Sequence, residues 1–192
     1  VLPWSIAAVA VVVLVGALAS NSFESGPAPG AAPVAPFAGG AAGGAPPDIS
    51  QMSPEERADR LFNRVMSYAE RGMPDSAAFF APMAMMAYQA LGTLSGDQRY
   101  HLGAIGLATG DPAGAELAKA QADSMLQQDP DYLLGLMLGA RSAEARGDKA
   151  AQQRFEQRFL RVLDKELARK LEEYEGHRAS IAAAAEAYRG SR

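Results

Sequence analysis

The chain has 192 residues, two histidines and no cysteine. Imidazole is the commonest metal ligand and the usual acid or base near neutral pH, and thiolate is the usual soft ligand and nucleophile. A zinc site legible in sequence needs such side chains a few positions apart. His101 and His177 lie 76 residues apart on different helical segments. Each is therefore expected to be an isolated packing or surface residue, with no metal and no cofactor bound. The acidic run Asp129-Pro130-Asp131 lacks the further oxygen ligands and the glycine of a calcium loop, and is expected to be a repeat exit and helix cap. No HExxH, GxSxG or phosphate-binding glycine loop is present. The absence of thiols excludes disulfides, thiolate metal sites, c-type haem attachment and cysteine lipidation. These residues predict a protein that binds and does not catalyse.

Three stretches have the chemistry of binding surfaces. The first is "FFAPMAMMAYQAL", containing Phe79, Phe80, Met83 and Met86. Methionine fills cores and also lines adaptable grooves, and a helix apolar on nearly all sides is expected to be buried all round. The second is Arg154, Arg158, Arg161, Lys165 and Arg169, which step along one helix face. Residues 146–192 hold 11 Lys or Arg against 8 Asp or Glu, whereas 51–145 hold 7 against 12. That asymmetry makes the stripe either a solvated face or a site for an acidic partner or anionic headgroups. The third is Val34, Pro36 and Phe37, the one bulky cluster in "GPAPGAAPVAPFAGGAAGGAPP".

The elements that position these surfaces follow from a steep gradient in composition. Residues 1–23 are almost wholly apolar, 24–50 are rich in Pro, Gly and Ala, and 51–192 carry all 18 Lys and Arg. From Trp4 to Phe23 a helix rises roughly 28–29 Å, close to the hydrocarbon thickness of about 30 Å, with aromatic residues at both ends. Residues 1–23 are thus expected to be an uncleaved transmembrane anchor. The rival is a signal peptide cut after Ala17-Leu18-Ala19, but the segment has no basic leading region. Gly16 and Ser20 form a small-xxx-small pair able to pack on another helix. No Lys or Arg occurs before Arg57, which predicts a cytoplasmic N-terminus and a domain on the periplasmic side of a bacterial inner membrane. Residues 24–50 cannot repay the entropy of ordering themselves, and are expected to be a tether or a strap ordered by a partner. The net charge of −4 gives no pull toward nucleic acid.

Beyond residue 50 the spacing is helical throughout, with no strand pattern. Ser53, Pro54 and Glu56 predict a capping box opening a first helix that stops at Gly72. A second helix is expected from an Asp75 cap to Gly92, kinked at Pro82. The two-helix unit then recurs, with its inner turn at Gly72, Gly110 and Gly147, intervals of 38 and 37 residues. Such a period is the signature of a helical solenoid. Phe155, Phe159, Val162 or Leu163, Leu167 and Leu171 form one apolar stripe and predict a last-unit helix running on to a break at Gly176. A final Ala-rich helix over 178–189 caps the stack.

At these residues the chain resembles the tetratricopeptide repeat (TPR) family. The best unit carries Leu102-Gly103, Gly110, Ala115, Ala122 and Asp129-Pro130; the first carries Leu61, Tyr68, Gly72, Ala77 and Ala84. The period exceeds the 34 residues of that family by three or four, and Gln152 and Phe159 stand where small residues are expected. The resemblance, over roughly 53–163, implies an all-α fold of about three helix pairs plus a capping helix. With the anchor, it implies a non-catalytic accessory or scaffold subunit of a larger bacterial membrane complex, photosynthetic or respiratory in kind. The alternative is a membrane-tethered periplasmic chaperone or assembly factor that binds client proteins.

Overall fold

A computed structural model describes residues 52–190, all within a unit spanning Pro47–Arg192. The expected anchor (Trp4, Gly16, Ser20, Phe23) and strap (Val34, Pro36, Phe37) lie outside the described residues. No helix among the described residues is long and apolar enough to cross a membrane.

Those residues form helices and no strand. The helices are α1 (Pro54–Glu70), α2 (Pro74–Ala90), α3 (Gly96–Ala108), α4 (Pro112–Gln128), α5 (Leu133–Ala145), α6 (Lys149–Leu167), α7 (Glu172–Gly176) and α8 (Arg178–Gly190). They pack as three hairpins, α1–α2, α3–α4 and α5–α6, each against the next, with α8 against α5 and α6. The capping box at Ser53 forms as expected: Ser53 N–H donates to Glu56 (2.7 Å) and Glu56 N–H donates to Ser53 Oγ (3.1 Å). A second box, Ser95 with Gln98, opens α3.

The periodic glycines have one cause. Gly72, Gly110 and Gly147 have φ of 68°, 71° and 70°, the left-handed conformation that closes a helix and turns the chain. A Cβ at any of them would meet nothing within 4 Å, so backbone conformation and not space selects glycine. After the first and third turns Met73 N–H reaches back to the Tyr68 carbonyl and Asp148 N–H to that of Ala143, each 2.9 Å, satisfying carbonyls that the helix end would orphan.

Three expectations are corrected. Asp75 is not the cap of α2: Met73 is, without a side-chain bond, and Pro74 takes the first turn where its missing N–H is harmless. That helix contains Pro82 and continues to Ala90. The apolar stripe of α6 does not carry it to Gly176; it ends at Leu167, Lys170 adopts a left-handed φ of 54°, and Leu171 caps the separate short α7. The helix buried all round is α5, whose residues Leu133–Ala140 are all enclosed, and not α2.

The core falls in two parts that share α3. One is built by Ala58, Val65, Phe80, Ala84 and Tyr88 against Leu102 and Ile105. The other surrounds α5, where Tyr100, Met125, Phe159, Leu163, Tyr174 and Ile181 close on Leu133–Leu138. Glycine lets the helices approach: a Cβ on Gly103 would strike the Leu138 side chain, and one on Gly114 would strike the Gly106 carbonyl oxygen.

Candidate functional site

The first helices of all three hairpins, together with α7 and α8, line one open cleft of roughly 880 Å³. α1 contributes Asp59 and Phe62, α3 contributes Asp97, Tyr100 and His101, α5 contributes Arg141, and the α7–α8 junction contributes His177. The expectation that the two histidines stand apart is overturned here. His101 Nε2 and His177 Nε2 are 3.3 Å apart, and His177 Nε2 lies 2.8 Å from Asp97 Oδ1. His101 Nε2 is 3.7 Å from the same oxygen. Asp97 and His101 share a face of α3 because they are four residues apart. His177 reaches them because α7 ends there and the chain turns into α8.

The hydrogen bonds around His101 assign its protons. The Tyr88 hydroxyl lies 2.6 Å from Asp59 Oδ1 and 2.9 Å from His101 Nδ1. Burial first, and then the neighbouring Asp59 carboxylate, raise Tyr88 far above its ordinary value, so it keeps its proton. A carboxylate only accepts, so Tyr88 gives that proton to Asp59 and takes one from His101 Nδ1–H. His101 Nε2 is then the unprotonated nitrogen, with its lone pair toward His177 and Asp97.

Packing holds both rings in place. Phe62 stacks on His101 with centroids 3.9 Å apart, and Tyr100 meets His177 edge-on at 4.8 Å. Burial lowers the His101 pKa, against the pull of Asp97 and Asp59. Burial alone would raise Asp97, but the hydrogen bond from His177 and the charge of the two imidazoles when protonated hold it below the ordinary carboxylate value. Chemically the cluster joins two imidazole nitrogens and a carboxylate oxygen on a wall of the cleft, the donor set of a borderline metal ion or of a short proton relay.

The expected binding residues of the domain separate into surface and interior. On α2, Phe79, Met83 and Met86 are 59%, 45% and 68% exposed, so one face of that helix stays outside the core. Phe80 is a core residue instead, stacked on Tyr68 beneath the Arg64 guanidinium. On α6 the basic stripe is largely engaged by the acidic run after α4. Asp131 accepts from Arg158 (3.1 Å) and Lys165 (3.0 Å), and Arg169 pairs with Asp129 and with the buried Glu166. Arg154 and Arg161 are exposed. Three of the five cations of the stripe are thus paired with carboxylates of this chain. Hydrogen bonds from Lys165 and then Arg158 hold Asp131 below the ordinary carboxylate value.

Sequence reasoning passed over Asp59, Tyr88 and Asp97. Only the Asp97–His101 pair had a local signal, its spacing of four on a helix; the rest depends on how separate hairpins stack. Comparison with protein-family models, with curated proteins and with solved structures returns no match to this chain.

Proposed function

We propose that this chain is a membrane-anchored scaffold of the tetratricopeptide type, which binds a larger bacterial membrane complex and does not itself catalyse a reaction. The observation that carries the reading is the outer face of α2. Its inner face packs Ala77, Ala81, Ala84 and Tyr88 with no exposed surface, while Met83 and Met86 face outward. Exposed large apolar side chains grouped on one helix mark contact surfaces, and methionine adapts to an irregular partner. Support also comes from the contrast with α6, whose outer side chains Arg158, Lys165 and Arg169 are paired with Asp131 and Asp129, whereas the outer face of α2 is apolar. In this reading residues 1–23 sit in the inner membrane with the N-terminus cytoplasmic. The strap docks through Val34, Pro36 and Phe37, and the hairpins lie in the periplasm.

The test is co-purification of the full chain in mild detergent. A scaffold is recovered in stoichiometric amount with one membrane complex, and the pair Met83→Glu and Met86→Glu releases it while the helical fold melts as before. Retention of the double variant on its complex would refute the α2 face. A second reading, the tethered chaperone or assembly factor, draws on the open cleft, whose 880 Å³ suits a peptide side-chain cluster. Recovery of many unfolded clients at low occupancy, displaced by substitutions in the cleft, would favour it over the scaffold.

A further inference from the structure

Independently of that reading, we infer that Asp97, His101 and His177 form a zinc site, binding one Zn²⁺ through Asp97 Oδ1 and the Nε2 atoms of both imidazoles, with the fourth position open to the cleft. The three donor atoms all lie within 4.8 Å of one another. Zinc–nitrogen and zinc–oxygen bonds of about 2.0–2.1 Å in tetrahedral array place neighbouring donors about 3.3–3.4 Å apart. The separations here are 2.8, 3.3 and 3.7 Å. They bracket that value, and about half an ångström of side-chain adjustment brings all three onto it.

The surroundings of the cluster are those of a ligand set. A metal-bound imidazole donates its other N–H to a hydrogen-bond acceptor, which fixes tautomer and ring direction. His101 does so: its Nδ1–H is held by Tyr88, and Tyr88 by Asp59. Phe62 and Tyr100 fix the planes of the two rings. His101 keeps only 11% of its side chain exposed and His177 14%, whereas Asp97 keeps 36% and faces the cleft. Calcium and magnesium call for six or more oxygen donors, which this cluster does not supply. Two nitrogens and one carboxylate suit zinc, which takes such ligands in a tetrahedral array. Three protein ligands with one open position leave room for water or for a carboxylate or imidazole of a docking partner. Binding would also tie the α7–α8 junction to α3, so the metal would govern how firmly the end of the cleft is closed.

The experiment uses the full chain in detergent, without a polyhistidine tag, stripped with EDTA and titrated with ZnCl₂ by calorimetry. One equivalent is expected to bind and to raise the melting temperature, reversibly on adding EDTA. Asp97→Asn, His101→Ala and His177→Ala are each expected to weaken binding by about 100-fold or more, and Tyr88→Phe by roughly 10- to 100-fold. Co²⁺ in place of zinc should give the visible absorption of a four-coordinate ion, lost in His177→Phe. That variant keeps an aromatic ring against Tyr100 and so separates loss of a ligand from loss of fold. Absence of saturable binding by the unaltered chain overturns the site. So does unchanged zinc affinity in a His177→Phe chain whose circular dichroism matches that of the unaltered protein.

Discussion

The Tyr174 hydroxyl donates to Glu166 across 3.1 Å, although that carboxylate has only 2% of its side chain exposed and lies on a different helix. The same hydroxyl accepts the Leu133 N–H, 3.0 Å away, at the start of the buried helix α5. One oxygen thus satisfies a buried acceptor on α6 and a buried donor on α5. Removing it in Tyr174→Phe leaves the N–H without a partner and the carboxylate with Arg169 alone. The expected cost is about 1–3 kcal/mol, read as a lower denaturation midpoint with unchanged slope. A loss below about 0.5 kcal/mol would show that water replaces the hydroxyl.

Two glycines of the second hairpin separate backbone conformation from space. Gly110→Ala meets no atom but must hold a left-handed φ, for a cost of about 1–2 kcal/mol. Gly114→Ala gains about 1 kcal/mol of helix propensity, yet its Cβ collides with the backbone of Gly106, which cannot rotate away. It is expected to be the more damaging, with a net loss of about 2 kcal/mol or more as α3 and α4 are forced apart. Chemical denaturation of the two variants side by side decides the order; Gly114→Ala proving stabilising would mean that the hairpin opens freely.

Acid should act through Asp131. Lys165 and Arg158 hold its folded pKa below the ordinary 3.8, so the folded state gives up this proton more readily than the unfolded chain. The contribution to stability is complete above about pH 4 and is lost as the pH falls through the lowered folded value. Melting curves from pH 6 to pH 2 should show this loss in the unaltered chain, and Asp131→Asn should lack that part of the slope. Because these ion pairs are partly exposed, added salt should shrink the difference. An unchanged acid profile in Asp131→Asn would contradict the assignment.

On α2, Met83→Glu with Met86→Glu should leave thermal stability within about 0.5 kcal/mol, as expected for exposed positions outside the core. Phe80→Ala on the same helix should cost about 3–5 kcal/mol, since its ring is buried on Tyr68. Urea titration of both tests whether the two faces of α2 are as different as their exposures; equal losses would not fit.

Local signals explain which parts of this fold were legible in the sequence. The left-handed turns at Gly72, Gly110 and Gly147 and the box at Ser53 involve residues a few positions apart, so their chemistry shows directly in the order of residues. Where tertiary packing decides, local pattern misleads. α2 and α5 are both apolar, but only α5 lies between neighbours on all sides, whereas α2 borders the outside. The basic stripe on α6 is regular, yet its counterions come from Asp129 and Asp131, which read locally as a mere helix exit. The zinc ligands are the extreme case. Asp97 and His101 are neighbours on α3, but His177 arrives only because α6 stops at Leu167 and the chain doubles back through Lys170 and the short α7. No spacing rule contains that event.

The bond between Tyr174 and Leu133 also has a consequence for how the chain is made. The two residues are 41 positions apart, and at about 5–20 residues per second a ribosome needs roughly 2–8 s to travel between them. For that interval α5 has emerged with its first donor unanswered, and Ile181 and Ala185, which close over the same core, come later still. The N-terminal hairpins can assemble as they appear, whereas the last one must wait for its lock. A nascent chain stalled before residue 174 is therefore the form in which the most deeply buried helix of the described residues stands uncovered, and the form a cellular chaperone would meet.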